Sequence, residues 1–176
     1  VRFYFKKPPR LDPSKPLPSV TIVKACHLAE DGEAKNFEGF FKQRYAGQIQ
    51  LLFVVDNESV PVAPIIREAL ARNPNRPNFT AEMLTVKEKR GIWGKMDALV
   101  TGHAHAKGDL ILWSDSDAIV GPDYVEQMAA SFQNPETHVV TTPQYEVNPT
   151  NFATALKVAG NYADIAVYGI GVESLQ

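Results

Sequence analysis

Cysteine, long apolar runs and excess positive charge are all scarce in this sequence, and each shortage excludes a class of protein. Cys26 is the single cysteine, which excludes an internal disulfide framework and a cysteine-rich zinc site, and we expect it to be buried at the end of a strand. No apolar run approaches the length needed to span a bilayer, and no signal peptide is recognisable. The net charge is −2 and no basic stripe carries interleaved aromatic residues, so we expect no nucleic-acid partner.

Proline, by contrast, is concentrated at the start of the chain, at Pro8, Pro9, Pro13, Pro16 and Pro18. Because proline removes backbone donors and stiffens the chain, residues 1–19 are predicted to form an extended arm. Its basic and aromatic beginning, residues 2–7, fits either a flank beside a membrane or a tail that folds over the domain. The chain begins at Val1 rather than at methionine, so a membrane segment elsewhere in a longer protein stays open.

After the arm, apolar runs typical of strands alternate with segments of helical periodicity. The composition is that of an ordinary globular domain, with 44% hydrophobic and 22% charged residues. Strands are predicted over residues 20–24, 49–55, 81–86, 110–113 and 139–142, and helices over 36–45, 62–72, 95–106, 122–132 and 151–167. This alternation requires crossovers between parallel strands, and it therefore predicts an α/β sandwich with a mostly parallel central sheet.

The helical segments carry apolar residues at a spacing that predicts which face of each helix is buried. The predicted core-facing residues are Phe37, Phe40 and Phe41 in the first helix, Ile65, Ile66, Ala69 and Leu70 in the second, and Met96, Leu99 and Val100 in the third. The run 110–113 is predicted to be a buried strand, and Pro122 is predicted to open the helix that follows it.

Carboxylates follow two of the predicted strands. Asp56 comes directly after the run 49–55, and Asp115 and Asp117 come directly after 110–113. Ligands of open α/β folds bind beyond the carboxyl ends of the strands, so these side chains are expected at one edge of the sheet. Two carboxylates one residue apart repel each other unless a cation lies close by. The pattern is typical of a site for Mg²⁺ or Mn²⁺ shared with a substrate diphosphate, and the alternative is a polar turn without a ligand.

A lysine stands at the predicted start of the third helix. Gly91 and Gly94 indicate a flexible loop, after which Lys95 opens the helix against the direction of the helix dipole. An anion beside Lys95 would offset that cost, and a phosphate is the kind of anion that helix N-termini bind. The alternative is that Lys95 is simply exposed to solvent.

The order and spacing of five segments resemble one known family. They are SVTIVK (19–24), FFKQRY (40–45), FVVDNES (53–59), GIWGKMDAL (91–99) and AKGDLILWSDSD (106–117). Together they resemble the GT-A glycosyltransferases of the family 2 type, and most closely the ceramide glucosyltransferase-like family 21. The resemblance covers residues 20–132 and implies a GT-A, Rossmann-like α/β/α sandwich.

The resemblance implies a role for four residues. Asp56 would contact the uridine, Lys95 would lie near the nucleotide or its diphosphate, and Asp115 with Asp117 would hold the divalent metal, Mn²⁺ or Mg²⁺, and the sugar nucleotide. The implied reaction is that of a hexosyltransferase, which moves glucose from UDP-glucose to a lipid hydroxyl with inversion. The full-length protein would be membrane-associated with this domain on the cytosolic face, the present segment itself being soluble.

The sequence also departs from the family pattern. Ala25 stands where relatives often have proline, and Asp97 stands where they commonly have asparagine, which adds a negative charge near the diphosphate site. Inverting transfer needs a general base, which the family supplies from a later Asp and a Gln-x-x-Arg-Trp segment. Neither is recognisable here, so the catalytic base is unassigned. Residues 20–176 are therefore interpreted as the donor half of a GT-A domain whose acceptor half is missing, and whether this segment alone is active stays open.

Two other readings compete with the glycosyltransferase. A phosphatase of the haloacid-dehalogenase type also has an Asp-x-Asp after a buried strand, but normally after the first strand, whereas three predicted strands precede it here. A scaffold or nucleotide-sugar-binding domain without catalysis is the second alternative, and the unassigned base favours it. The histidines add little, because His103 and His105 are two apart on a helix and point in different directions. His27 lies near the expected nucleotide edge.

Overall fold

The computed structural model describes residues 9–27, 32–89, 94–142 and Leu156, and the structural statements below concern these residues. The chain divides into two compact units, one formed by Arg10–Glu136 and the other by Val1–Pro9 together with Thr137–Gln176. All of the strands and helices numbered below lie within Arg10–Glu136. No helix in the described part of the chain is both long and apolar enough to cross a bilayer.

Four parallel strands form the sheet, in the order β3-β2-β1-β4. The strands are β1 (Val20–Cys26), β2 (Ile49–Val55), β3 (Phe79–Thr85) and β4 (Leu110–Asp115). The helices between and after them are α1 (Glu33–Phe41), α2 (Ala63–Arg72), α3 (Gly94–His105) and α4 (Tyr124–Ser131). The predicted α/β architecture with a parallel sheet is therefore confirmed.

The two faces of the sheet pack against different side chains. On one face the ring of Phe53 lies 4.8 Å from that of Phe37 and 6.0 Å from that of Phe41, so α1 covers this side with the aromatic residues that the sequence predicted to be buried. On the other face, Val23 and Val54 belong to an apolar cluster that includes residues of α3. Because side chains alternate along a strand, neighbouring residues of β1 point to opposite layers.

The buried face of α3 differs from the prediction. Met96 and Val100 were expected in the core but are 56% and 46% exposed, whereas Ala98 and Gly102 are buried. The reason is steric, because a Cβ atom at Gly102 would lie only 2.3 Å from Cγ1 of Val23. The missing side chain at Gly102 allows α3 to approach β1 closely, and this contact decides which face of the helix turns inward.

The strand predictions were right for β2 and inexact elsewhere. Strand β3 begins two residues earlier than predicted, and β4 continues to Asp115, so that Asp115 is the last residue of the strand rather than part of the turn after it. Residues 110–113 form a strand as predicted, but it is only partly buried: Leu112 is buried and Trp113 is 63% exposed, because β4 lies at one side of the described sheet. Residues 139–142 form no strand, so that prediction was wrong.

The helix boundaries shifted for identifiable reasons. Helix α1 ends at Phe41 rather than at residue 45, because the side chains that follow it hold the segment before α4. Gln43 donates to the carbonyl of Gly121 at 2.8 Å, and Arg44 binds the carboxylate of Asp123 at 2.8 and 2.7 Å. Helix α4 starts at Tyr124, two residues after the predicted Pro122.

In α2 only Ile66 of the four predicted residues is fully buried, since Ile65, Ala69 and Leu70 are half-buried. The predicted helix over residues 151–167 lies outside the described residues except for Leu156, which is helical.

The arm is fastened to the domain over the part that the structure describes. The backbone N–H of Asp12 donates to Oε1 of Gln133 at 2.7 Å, and the hydroxyl of Tyr45 donates to the carbonyl of Pro18 at 2.5 Å. Ser19 donates from its hydroxyl to Asp109 at 2.6 Å. The basic residues at the start of the arm lie outside the described ranges, so neither alternative for that stretch is tested.

Candidate functional site

The carboxyl ends of β2, β1 and β4 lie side by side at one edge of the sheet. Val55 pairs with Cys26, and Ala25 pairs with Asp115. Asp56 follows β2 directly, and Asp115 ends β4, so both carboxylate-bearing positions fall at this edge as the strand order predicted. Strand β1 separates the two acidic strand ends.

The first turn of α3 links the two acidic positions. At Gly94, the first residue of the helix, a Cβ atom would lie 3.4 Å from Oδ1 of Asp56, so the helix backbone passes directly beside that carboxylate. At the next residue, the ammonium group of Lys95 forms an ion pair with the carboxylate of Asp115. The sequence predicted a phosphate beside Lys95, and in this structure the anion that Lys95 contacts is a carboxylate of the chain itself.

The carboxylate of Asp56 lies close to two basic side chains. Its carboxylate is 16% exposed, and Oδ2 is 3.6 Å from Nζ of Lys89 and 3.6 Å from Nδ1 of His27. His27 is mostly exposed, so it contributes a full charge only when it is protonated. The sequence placed His27 near this edge, whereas the approach of Lys89 was not predicted.

The acidic turn after β4 is held through its backbone. The carbonyl of Asp115 accepts from the N–H of Ala118 at 3.3 Å and from Nζ of Lys24 at 2.6 Å. The carbonyl of Asp117 accepts from Nδ2 of Asn36 on α1 at 3.3 Å. The side chain of Asp117 is exposed, so both carboxylates of the turn are accessible while the turn itself is tethered from β1 and α1.

Lys24 is the residue of this edge that the sequence reading missed. It is fully buried, its Nζ atom lies 3.8 Å from the centre of the Phe40 ring, and it also contacts Oγ of Ser114 at 3.3 Å. Burial lowers the pKa of Lys24 from 10.5 to about 8, although negative groups nearby, among them Asp117 and Asp115, act in the opposite direction. A lysine on an otherwise apolar buried strand was the signal that could have found it.

Two further side chains near this edge are buried. Burial raises the pKa of Cys26 to about 12, so the thiol stays protonated at neutral pH, and the expectation of a buried strand-end cysteine is confirmed. Asp97 lies buried in the first turn of α3, where the helix dipole favours a carboxylate. This is the position at which relatives commonly have asparagine.

The donor set suits a metal that is shared with a substrate. Within the described ranges, no group of three or more His, Cys, Asp or Glu side chains could hold a metal ion. Asp115 and Asp117 provide two accessible carboxylates, which are hard oxygen ligands. Mg²⁺ and Mn²⁺ are typically held by one or two carboxylates, with substrate phosphates and water completing the coordination. The acidic turn fits that kind of site.

The parallel sheet covered by helices and the acidic residues at its carboxyl edge are those of a Rossmann-like domain of the GT-A type. Comparison with known proteins gives the family of this domain. The chain belongs to glycosyl transferase family 21, whose family model matches residues 1–166. This confirms the family resemblance that the five sequence segments indicated. It also argues against the haloacid-dehalogenase alternative.

Curated relatives come from two groups of transferases. The chain is 26% identical over 127 residues to ceramide glucosyltransferase 1 of Caenorhabditis elegans, which covers 72% of this chain and 26% of the relative. It is 29% identical over 124 residues to an N-acetylglucosaminyltransferase of Rhizobium leguminosarum bv. viciae, which covers 69% of this chain and 27% of the relative. The chain thus spans about a quarter of the length of these relatives.

Solved structures show the same fold at low sequence identity. The mannosyltransferase PcManGT from Pyrobaculum calidifontis, solved in complex with GDP-Man and Mn²⁺, superposes with a TM-score of 0.57 at 21% identity, covering 88% of this chain and 43% of the other. TarS from S. aureus superposes with a TM-score of 0.51 at 15% identity, covering 73% of this chain and 24% of the other. These likenesses establish the fold alone.

Proposed function

We propose that this chain forms the donor-binding part of a glycosyltransferase that binds a UDP-sugar through a divalent metal ion. The observation that carries the proposal is the meeting of Asp56, Lys95 and Asp115 around the first turn of α3, at the carboxyl edge of a parallel sheet. Family membership supports the reaction class, and the position of the edge matches the place where open α/β folds bind nucleotides.

Asp115 and Asp117 are proposed to hold the metal, Mn²⁺ or Mg²⁺. When bound there, the metal would neutralise the diphosphate leaving group. The solved mannosyltransferase complex with GDP-Man and Mn²⁺ supports the pairing of a metal with a nucleotide sugar on this fold. Asp56 is proposed to contact the uridine, since it lies at the same edge, one strand beyond β1.

Lys95 is proposed to pair with two anions, first with the carboxylate of Asp115 and then with the donor diphosphate. Without donor its ammonium group is paired with Asp115, which lowers the repulsion between the two carboxylates of the acidic turn. On donor binding, Lys95 leaves Asp115 and pairs with the diphosphate. Its exposed ion pair with Asp115 is worth less than about 1 kcal/mol, so the exchange is inexpensive.

The proposed reaction transfers glucose from UDP-glucose to a lipid hydroxyl with inversion. The ceramide glucosyltransferases among the relatives support both the sugar and the lipid acceptor. The general base is unassigned, and Asp123, the first acidic residue after the acidic turn, is already paired with Arg44. We propose further that the full-length protein is membrane-associated, with this domain on the cytosolic face, where UDP-sugars are available.

Calorimetric titration of UDP into the purified chain tests the proposal. UDP is expected to bind with Mn²⁺ present and to lose its affinity in EDTA, while ADP and GDP bind more weakly. Asp117→Ala should abolish the metal-dependent part of UDP binding without changing the circular dichroism spectrum. Glu68→Ala, which removes an exposed carboxylate from α2, is the matched control and should bind as the unmodified chain does.

Absence of UDP binding in every condition would contradict the donor-site proposal and would favour a scaffold domain. Unchanged metal-dependent affinity in Asp117→Ala would overturn the metal assignment alone. Preference for GDP over UDP would overturn the assignment of the nucleotide and retain the reaction class.

A further inference from the structure

A fully buried ammonium group lies directly beneath the acidic turn. Lys24 pairs with Ser114 in the β1–β4 register, so its side chain leaves the sheet on the face covered by α1. Among the described residues, its hydrogen bonds go to the carbonyl of Asp115 and the hydroxyl of Ser114, and its remaining surroundings include the Phe40 and Phe37 rings. The lysine therefore points at the turn that carries Asp115 and Asp117.

Burying this charge is expensive for the fold. Removing an ammonium group from water costs several kcal/mol, and the attraction of nearby negative groups, among them the buried Glu33, offsets only part of the cost for Lys24, whose pKa is lowered. A leucine or methionine at position 24 would suit the aromatic surroundings and the strand equally well. The lysine is therefore poorly explained by stability and better explained by what its ammonium group contacts.

We propose that Lys24 is a positioning residue of the donor site, which fixes the acidic turn by holding the carbonyl of Asp115. This inference rests on the proposed function, because it concerns the same site. With the Asp115 carbonyl held by Lys24 and the Asp117 carbonyl held by Asn36, the backbone between the two carboxylates is fastened at both ends. The turn then presents both carboxylates at a fixed separation before metal and nucleotide arrive.

The positioning role has a signature that a purely structural role lacks. Groups that orient metal ligands from behind typically change metal affinity by about 10–100-fold when they are removed. Lys24→Met keeps the length and the apolar stem of the side chain and removes the hydrogen bonds and the charge. We expect this variant to fold and to bind UDP in the presence of Mn²⁺ about tenfold or more weakly.

Two measurements test the proposal. Calorimetry with UDP and Mn²⁺ measures the affinity of the donor site. Hydrogen–deuterium exchange without any ligand measures how firmly the acidic turn is held. In Lys24→Met, the amides of residues 116–118 should exchange about tenfold faster, which corresponds to losing one hydrogen bond to a charged group. Exchange within β1 and β2 should not change.

Thr21→Val is the matched control. Thr21 is another buried polar residue of β1, at the opposite end of the strand. Its hydroxyl donates a hydrogen bond to Oε1 of Gln50 at 2.8 Å and accepts one from the N–H of Gly108 at 2.9 Å. This variant should lose stability yet keep both the exchange rate of residues 116–118 and the affinity for UDP. Ser114→Ala removes the weaker of the two acceptors of Lys24 and also the hydroxyl's own hydrogen bond to the Asp115 carbonyl at 3.3 Å, so it should shift both readouts in the same direction as Lys24→Met but less far.

The outcomes separate this inference from the proposed function. If the unmodified chain binds no UDP, the proposed function fails, and exchange at residues 116–118 still decides whether Lys24 holds the turn. If the unmodified chain binds UDP but a folded Lys24→Met variant binds equally well with unchanged exchange, the positioning role is overturned. If Lys24→Met does not fold, Ser114→Ala provides the test. Unchanged amide exchange at residues 116–118 and unchanged UDP affinity in Ser114→Ala would then overturn the positioning role of Lys24.

Discussion

At the scale of single residues, Lys24 makes stability depend on pH. Its pKa is lowered by burial from 10.5 to about 8, so the unfolded chain binds one proton more than the folded chain between these pH values. Stability should therefore rise as pH increases from about 8 towards 10.5. The opposite effect comes from Cys26, whose raised pKa removes stability above its ordinary value of 9.0. Between pH 8 and pH 9 the effect of Lys24 is the larger of the two.

We expect Lys24→Met to remove this pH dependence. Between pH 8 and pH 9, the free energy of unfolding of the unmodified chain should rise by about 1 kcal/mol relative to that of the variant. Urea unfolding in EDTA at several pH values measures it, with Thr21→Val as the control that keeps the slope. Parallel pH profiles for the unmodified chain and Lys24→Met would show that Lys24 does not titrate in this range.

Lys95 should have opposite effects on two ligands. In Lys95→Met the carboxylate of Asp115 loses its counter-ion, so Mn²⁺ alone should bind up to about fivefold more tightly, in line with the small worth of an exposed ion pair. UDP in the presence of Mn²⁺ should bind more weakly, because the diphosphate loses a cation. Lys42→Met, which breaks the exposed pair with Glu38 on α1, should change neither affinity. A loss of affinity for both ligands would contradict the exchange of partners proposed for Lys95.

At the scale of elements, the close approach of α3 to β1 sets the position of Lys95. Gly102→Ala places a Cβ atom 2.3 Å from Val23, and overpacking of this kind costs about 1–3 kcal/mol, offset in part by the better helix propensity of alanine. Chemical denaturation should show a net loss of stability. Val23→Ala in the same chain should restore part of it, because the smaller side chain makes room, whereas Gly121→Ala, which meets nothing within 4 Å, should be neutral. Additive effects of Gly102→Ala and Val23→Ala would exclude the proposed clash.

The same contact shows what a sequence can predict at this scale. Strand β2 was predicted residue for residue, because an apolar run interrupted only by Gln50 and bounded by polar residues leaves few alternatives. The face of α3 was predicted wrongly, because hydrophobic spacing favoured Met96 and Val100, while the decisive feature was the absent side chain of Gly102. Close packing depends on the partner across the interface, and Val23 is far away in sequence.

The candidate site also has features that the sequence could predict and features that it could not. Asp56 and Asp115 could be placed at one edge, because the carboxyl ends of parallel strands always meet there. The contact of Lys24 with the turn could be predicted only from the register of β1 against β4, and the ion pair between Lys95 and Asp115 only from the placement of α3 against the sheet. Register is a property of the assembled sheet, and a lysine within a strand does not reveal which group it will meet.

At the scale of the whole molecule, the chain spans about a quarter of the length of its relatives, and the edge proposed to bind the donor lies within it. Donor binding should therefore be measurable as stabilisation of this chain, independently of sugar transfer. A ligand that binds only the folded state at 100 times its dissociation constant adds about 2.7 kcal/mol to the free energy of unfolding. For a chain of 176 residues this corresponds to a rise in Tm of about 5–10 °C.

We expect that rise with UDP and Mn²⁺ together, and little or none with either alone, because in the proposed site Asp115, Asp117 and the diphosphate share the coordination of the metal. EDTA should cancel the rise, and Asp117→Ala should show none, while Glu68→Ala should reproduce it in full. Differential scanning calorimetry is the measurement, since it also reports whether the ligand stabilises the whole transition or only part of it. Equal stabilisation by UDP in Mn²⁺ and in EDTA would show that the nucleotide binds this edge without a metal, and the roles of Asp115 and Asp117 would then have to be reassigned to direct contact with the sugar or the ribose.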